Sequence, residues 1–165
     1  MNLRSLSVLA AAVLLLAACK ENPGTESNTS GGAGGAMTAS SAPSGPAKGS
    51  REDFIQNVGD RVFFDFDKSD VKPEGQQTLQ RQATWLKQYP SVTVTIEGHC
   101  DERGTREYNL ALGNRRANAV KNALVALGIP ANRIQTISYG KDRPIVVGSN
   151  EAAWAQNRVG ITVIN

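Results

Sequence analysis

The chain has 165 residues, of which 40% are hydrophobic, and its 18 lysine and arginine residues stand against 15 acidic ones. This length suits one modest domain with a polar appendage and excludes two large cores. From Arg51 onward, 15 basic and 13 acidic side chains leave a small net charge and no concentrated basic stripe, which argues against a nucleic-acid partner.

Residues 1–18 are typical of a secretory signal peptide. Arg4 supplies the positive start, and the apolar run LSVLAAAVLLLAAC is too short to span a membrane in the mature protein. Its end, Leu16 to Cys19, resembles the bacterial lipobox, in which the cysteine is acylated and becomes the first mature residue. The alternative is an ordinary signal peptide whose cleavage site lies beside a cysteine. With Lys20 following, the lipobox implies a lipid anchor in the outer membrane of a Gram-negative cell.

Residues 19–50 predict a flexible tether between the lipidated cysteine and a folded domain. The segment is crowded with Gly, Ser, Ala, Thr and Pro and has almost no large apolar side chain. Such a composition cannot bury enough surface to offset the entropy of ordering. We therefore expect one domain, over residues 51–165.

Within 51–165 the pattern alternates strand and helix. Alternating β-branched and aromatic residues predict strands, apolar residues spaced at i, i+4 and i+7 predict helices, and Thr105 is a plausible N-cap for the longest helix. The expected elements are strand 61–67, helix 73–89, strand 91–98, helix 105–127, strand 133–140, helix 149–157 and strand 158–165.

The order βαβαβαβ, with helices that have one apolar face, predicts the fold class. We expect an α/β two-layer sandwich in which helices pack on one face of a mixed sheet.

The stretch EGHCDERGT, residues 97–105, contains the one histidine of the chain beside a cysteine and an acid. A Cys/His hydrolase needs both side chains within hydrogen-bond reach, whereas neighbours on a strand point to opposite faces. Zinc needs four converging ligands, which this run does not offer. The sequence therefore favours a structural His99 and, because Cys19 is predicted to be lipidated, a free and buried thiol at Cys100.

Asp101 lies in the loop before the long helix, and Arg116 lies in the apolar row of that helix, four residues from both Leu112 and Val120. A buried guanidinium is costly unless it is paired. One interpretation is an internal ion pair of Arg116 with Asp101 or another acid. The other is a ligand site for a zwitterion, in which the carboxylate accepts an ammonium and the guanidinium binds a carboxylate.

Three stretches carry a family resemblance: FFDFDKSDV, EGHCDERGTREYNLALGNRRANAVKNAL and ISYGKDRP. They resemble the outer-membrane-protein-A-like (OmpA-like) domain family, in particular its peptidoglycan-associated lipoproteins, over about residues 60–165. The resemblance implies a non-enzymatic tether without a cofactor or metal, which binds the peptidoglycan stem peptide through the zwitterionic end of meso-diaminopimelate.

The same resemblance implies roles for individual residues. Asp101 holds the ligand ammonium and Arg116 its carboxylate. Further residues that line or border the implied pocket are Asn109, Phe66, Asp67 and Arg158. Two positions depart from the family pattern: Cys100 replaces a small residue, and Val159 replaces a second arginine after Arg158, which predicts weaker affinity if the family pocket uses that arginine.

The resemblance also implies a partner, the periplasmic β-propeller protein of the Tol system, which competes with the cell wall, and a role of this Tol-Pal system in cell division and envelope integrity. Two rival functions stay open at this point. A cell-wall hydrolase would need two carboxylates around the scissile bond, and a purely protein-binding adaptor would leave Arg116 in a structural ion pair.

Overall fold

The computed structural model describes residues 45–165, so the predicted signal peptide, Cys19 and all of the predicted tether before residue 45 lie outside the described residues. The helices are α1 (Arg51–Asp53), which continues as a π-helical turn (Phe54–Val58), α2 (Pro73–Gln88), α3 (Arg106–Ala126) and α4 (Glu151–Asn157). The strands are β1 (Arg61–Phe63), β2 (Val94–His99), β3 (Ile134–Gly140) and β4 (Val159–Ile164), and a 3-10 turn at Ala131–Arg133 precedes β3.

The four strands form one mixed sheet in the order β1-β4-β2-β3. β2 and β3 are parallel, whereas β4 runs antiparallel to both β1 and β2. In the middle of the sheet, Ile96 is in register with Thr136 on one side and Thr162 on the other. The predicted α/β class, the order of strands and helices after residue 60 and the mixed sheet are confirmed.

Most element boundaries differ from the sequence prediction by one to three residues, and the two larger differences lie in the first part of the domain. β1 ends at Phe63 instead of continuing to residue 67, because the chain turns there: Lys68 donates its backbone N–H to the carbonyl of Asp65, and Asp67 has a φ of 57°. The helical segment 51–58 was not predicted, and its hydrogen bonds reach back into the expected tether, where Ser50 caps α1.

The hydrophobic core lies between the sheet and the two long helices. Ile96 and Val94 of β2 are buried against Leu79 of α2 and Val120 of α3. At about 25 cal/mol per Å² of apolar surface, this burial is the main stabilising contribution. Among the described residues, no helix is long and apolar enough to cross a membrane.

α3 approaches the sheet most closely at two glycines. A Cβ added to Gly98 of β2 would lie 1.9 Å from the carbonyl oxygen of Gly113, and one added to Gly113 would lie 2.3 Å from the Ser138 hydroxyl. The hydroxyl of Ser138 also donates to the carbonyl of Leu110 at 2.8 Å. These contacts bring the first turns of α3 directly over the ends of β2 and β3, which is where the site described next is formed.

Candidate functional site

A cavity of about 150 Å³ lies where β2 ends, where α3 begins and beside the turn after β1. Five of the six residues assigned to the ligand site by the family resemblance line it, and they come from all three segments. The lining residues are Phe66, Asp67, Cys100, Asp101, Arg103, Gly104, Tyr108, Asn109, Leu112 and Arg116. Arg158, the sixth, is not among them and lies behind Asp101.

The loop between β2 and α3 is held by local hydrogen bonds, of which the sequence predicted the cap at Thr105. Thr105 caps α3 through its hydroxyl, which accepts from the backbone N–H of Tyr108, as expected. Asn109 donates from Nδ2 to the carbonyls of Arg103 at 2.7 Å and Thr105 at 3.0 Å. Gly104 has a φ of 88°, a conformation that favours glycine. Asn109 therefore shapes the loop as well as lining the cavity.

Asp101 is the buried acid of the cavity, with 4% of its side chain exposed. Arg103 donates to its Oδ1 from both the backbone N–H and Nε at 3.1 Å, and to its Oδ2 from Nη2 at 2.6 Å. Arg158 donates to Oδ2 from Nη1 at 3.4 Å. Burial by itself raises the pKa of Asp101, but the hydrogen bonds and charge of Arg103, with the Arg158 bond, outweigh it and hold this pKa below its usual value.

Arg103 lies between two aromatic rings at the mouth of the cavity. Its guanidinium carbon is 4.0 Å from the centre of the Phe66 ring and 4.2 Å from that of Trp154. The indole N–H of Trp154 donates to Glu102 at 3.0 Å, which fixes the plane of that ring. The side chain of Arg103 is 32% exposed, so a half-exposed cation covers the buried carboxylate.

Arg116 is completely buried, and the ion pair with Asp101 that the sequence left open is not formed. Its Nε donates to the carbonyl of Lys68 at 2.9 Å, Nη1 to that of His99 at 2.8 Å and Nη2 to that of Asp65 at 3.1 Å. Within residues 45–165, none of the salt bridges includes Arg116. Burial lowers the pKa of Arg116. The buried cation therefore ties the turn after β1 to the end of β2.

The side chains of His99 and Cys100 have different hydrogen-bond partners. The Nδ1 of His99 lies 3.0 Å from the carbonyl of Arg143, whereas the Sγ of Cys100 donates to the carbonyl of Asn109 at 3.3 Å. Burial raises the pKa of the Cys100 thiol to about 11. A thiol in this state is a poor nucleophile at neutral pH, and no pairing with His99 activates it. Among the described residues, no group of three or more His, Cys, Asp and Glu side chains is placed to hold a metal ion.

Three residues of the site were missed by the sequence reasoning: Arg103, Tyr108 and Trp154. Tyr108 donates its hydroxyl to Asp67, and this hydrogen bond is the largest cause that raises the pKa of Tyr108 above its usual value. Sequence reasoning could have found Arg103 from its position two residues after the buried Asp101, in a short loop. Trp154 left no local signal, because it reaches the site from α4.

Comparisons with known proteins agree with this fold. The OmpA family model matches residues 63–158. The chain is 56% identical to a peptidoglycan-associated lipoprotein of Brucella melitensis over 117 residues, which are 71% of this chain and 70% of that protein. It is 56% identical to a protein of the same name from Agrobacterium fabrum over 116 residues, 70% of this chain and 66% of that protein.

Solved structures of other proteins share this fold. The crystal structure of the peptidoglycan-associated lipoprotein from Burkholderia pseudomallei matches with a TM-score of 0.64 and 41% identity, over 67% of this chain and 98% of that one. The C-terminal domain of Helicobacter pylori MotB matches with a TM-score of 0.60 at 19% identity, over 64% of this chain and 84% of that one, and shows a shared fold alone.

Proposed function

The chain belongs to the OmpA family and, within it, to the peptidoglycan-associated lipoproteins, and from this premise we propose that its cavity binds the peptidoglycan stem peptide without a covalent bond. The ligand group is the free zwitterionic end of meso-diaminopimelate. The protein acts as a binding module that fastens an outer membrane to the cell wall, not as an enzyme.

The observation that carries this proposal is a buried carboxylate and a buried guanidinium that line one cavity without being bonded to each other. A guanidinium has five N–H donors. Backbone carbonyls use three of those of Arg116, which leaves one further N–H on each terminal nitrogen, and Arg116 lines the cavity beside Cys100. Asp101 offers the negative charge for the ligand ammonium. Opposite charges held a short distance apart match a zwitterion.

The remaining residues frame the ligand. Phe66 has 56% of its surface exposed at the mouth, where its ring can cover the aliphatic chain of diaminopimelate. Asp67 and Tyr108 also line the cavity and are joined by a hydrogen bond. Arg158 has a positioning role in this proposal, because it does not line the cavity and instead donates to Asp101, to Glu151 and to the carbonyl of Phe64.

The membrane side of the proposal depends on residues outside the described part of the chain. Cys19 carries the lipid, and the following residues up to about 45 form the tether. Tethering near a dense polymer raises the effective concentration of the ligand, so modest affinity at each site is sufficient. The proposal includes the Tol-system β-propeller as a partner that competes for this end of the domain; the exposed Phe66 and Tyr108 support a protein contact there.

The test is cosedimentation of the full-length chain, in mild detergent, with purified peptidoglycan. We expect Asp101→Ala and Arg116→Ala each to reduce binding at least about tenfold, since each removes a charge-assisted hydrogen bond. Free diaminopimelate should compete with the wild-type protein. The matched controls are Asp142→Ala, an acid outside the cavity, and Arg115→Ala, the exposed neighbour of Arg116.

Thermal unfolding checks that each variant is folded. Undiminished binding by folded Asp101→Ala and Arg116→Ala would contradict the proposal and place the contact with the wall elsewhere. Release of soluble fragments from the peptidoglycan by the pure protein would instead support a hydrolase.

A further inference from the structure

We propose that Arg103 makes the cavity select a zwitterion over a simple amine, by giving up Asp101 to the ligand ammonium and then pairing with the ligand carboxylate. This inference rests on the proposed function, because it concerns the same ligand group. It assigns to Arg103 a role in specificity that is separate from those of Asp101 and Arg116.

The first step is that Asp101 has no acceptor site left for an ammonium. An ionised carboxylate offers about four lone-pair sites. Asp101 accepts four hydrogen bonds, three from Arg103 and one from Arg158. A ligand ammonium can therefore reach this carboxylate only if one of the present donors leaves.

The second step identifies the donor that leaves. The side chain of Arg158 is 9% exposed and is also bonded to Glu151 at 2.7 Å and to the carbonyl of Phe64 at 3.1 Å. The side chain of Arg103 is 32% exposed, and within the described part of the chain its guanidinium donates to Asp101 alone. Arg103 is thus the donor that can be replaced without breaking other bonds of the fold.

The third step concerns what happens to the released guanidinium. The rings of Phe66 and Trp154, at 4.0 and 4.2 Å, hold its plane by cation–π attraction and keep it at the mouth of the cavity. A ligand that has only an ammonium leaves this cation without a counter-ion in a cavity that the buried cation Arg116 also lines. A ligand with a carboxylate next to its ammonium supplies that counter-ion. Asp101 and Arg103 then each have an oppositely charged partner, as they had before the ligand bound.

The experiment compares two stem peptides that differ by one carboxylate, because lysine is diaminopimelate without the carboxylate at one end. Calorimetric titration of the full-length chain gives the ratio of the two dissociation constants. We expect the wild-type protein to prefer the diaminopimelate peptide at least about tenfold, and Arg103→Gln to lose most of that preference, about the effect of one charge-assisted hydrogen bond. The lysine peptide should bind Arg103→Gln more tightly than wild type, since Asp101 is then free.

The matched control is Arg106→Gln, which removes the same charge from an arginine that is paired with Asp142 outside the cavity, and which should keep the wild-type ratio. If Arg103→Gln does not fold, Phe66→Ala decides instead: it removes one of the two rings from an exposed position and should lower the same ratio.

An unchanged ratio in the folded Arg103→Gln variant would overturn the role of Arg103 while leaving the proposed function intact. A wild-type protein that binds both peptides equally would overturn the role of Arg103 and also the assignment of the ligand carboxylate to Arg116 in the proposed function. A wild-type protein that binds neither peptide nor peptidoglycan would instead overturn the proposed function and this inference with it. Arg103→Lys separates specificity from a merely structural role, because lysine keeps the charge but not the fork and should retain part of the preference.

Discussion

Asp53 and Asp101 are both buried acids, yet their surroundings differ in the property that decides function. Asp53 accepts from the backbone N–H of Gly49 at 2.9 Å, from Nδ2 of Asn57 at 2.8 Å and from the indole N–H of Trp85 at 2.8 Å. These are neutral donors that belong to the fold. Asp101 accepts from two arginines, one of them partly exposed.

The comparison shows how a buried carboxylate becomes available to a ligand. Neutral donors fixed by the packing of Trp85 cannot leave without unfolding, so Asp53 stabilises the start of the domain. A partly exposed cation can be exchanged for another cation, which is why we propose Asp101, and not Asp53, as the acceptor of a ligand ammonium. Both acids have a lowered pKa, for Asp53 mainly through the bond from Trp85 and for Asp101 through Arg103 against the opposing effect of burial.

The largest effect is expected from a substitution at the close contact between α3 and β2. Gly98→Ala places a methyl group against the backbone of Gly113, so α3 must shift. We expect the free energy of unfolding to fall by about 3 kcal/mol and peptidoglycan binding to fall with it. Denaturant titration measures the free energy of unfolding. Gly45→Ala is the control, since a Cβ there meets nothing, and wild-type stability in Gly98→Ala would refute the tight contact.

A smaller change should affect the Asp53 region alone. Trp85→Phe keeps an aromatic ring against Phe54, whose centre lies 4.9 Å away, but removes the N–H that reaches Asp53. We expect a loss of about 1–2 kcal/mol in the free energy of unfolding, because a buried hydrogen bond is left unmade, with unchanged affinity for the diaminopimelate peptide. Trp154→Phe, the other tryptophan, loses a bond at an exposed site and should cost less stability. Reduced affinity in Trp85→Phe would show that the two regions are coupled.

The smallest expected effects concern the pH dependence of Tm, to which Asp53 and Asp101 both contribute. A folded-state pKa below the unfolded value contributes stability that is present above the unfolded pKa and is lost as the pH falls through the folded one. We therefore expect a nearly constant Tm above about pH 5 and a decline below about pH 4. Asp53→Asn and Asp101→Asn should each flatten that decline, but only Asp101→Asn should abolish the rise in Tm caused by the peptide at pH 7. Equal peptide responses in both variants would contradict the distinction.

Much of the fold was predictable because its signals are local. The alternation of apolar residues in β2, the inward row of α3 and the N-cap at Thr105 each depend on residues a few positions apart. The segment 51–58 escaped prediction because Asp53, which anchors it, is satisfied by Trp85, 32 residues away. The early end of β1 escaped because Arg116 binds the carbonyl of Asp65, 51 residues away.

For the site, local sequence patterns were enough to predict the position of Asp101 in a loop after a strand, the inward position of Arg116 on α3, and the family to which those residues point. The tertiary structure decided their partners: Arg116 is held by three backbone carbonyls, and Asp101 is held by Arg158 across 57 positions and by an Arg103 that lies between Phe66 and Trp154. Periodicity reports which face of an element a residue occupies, whereas the partner of a buried charge depends on which distant segments the fold brings within about 3 Å of it.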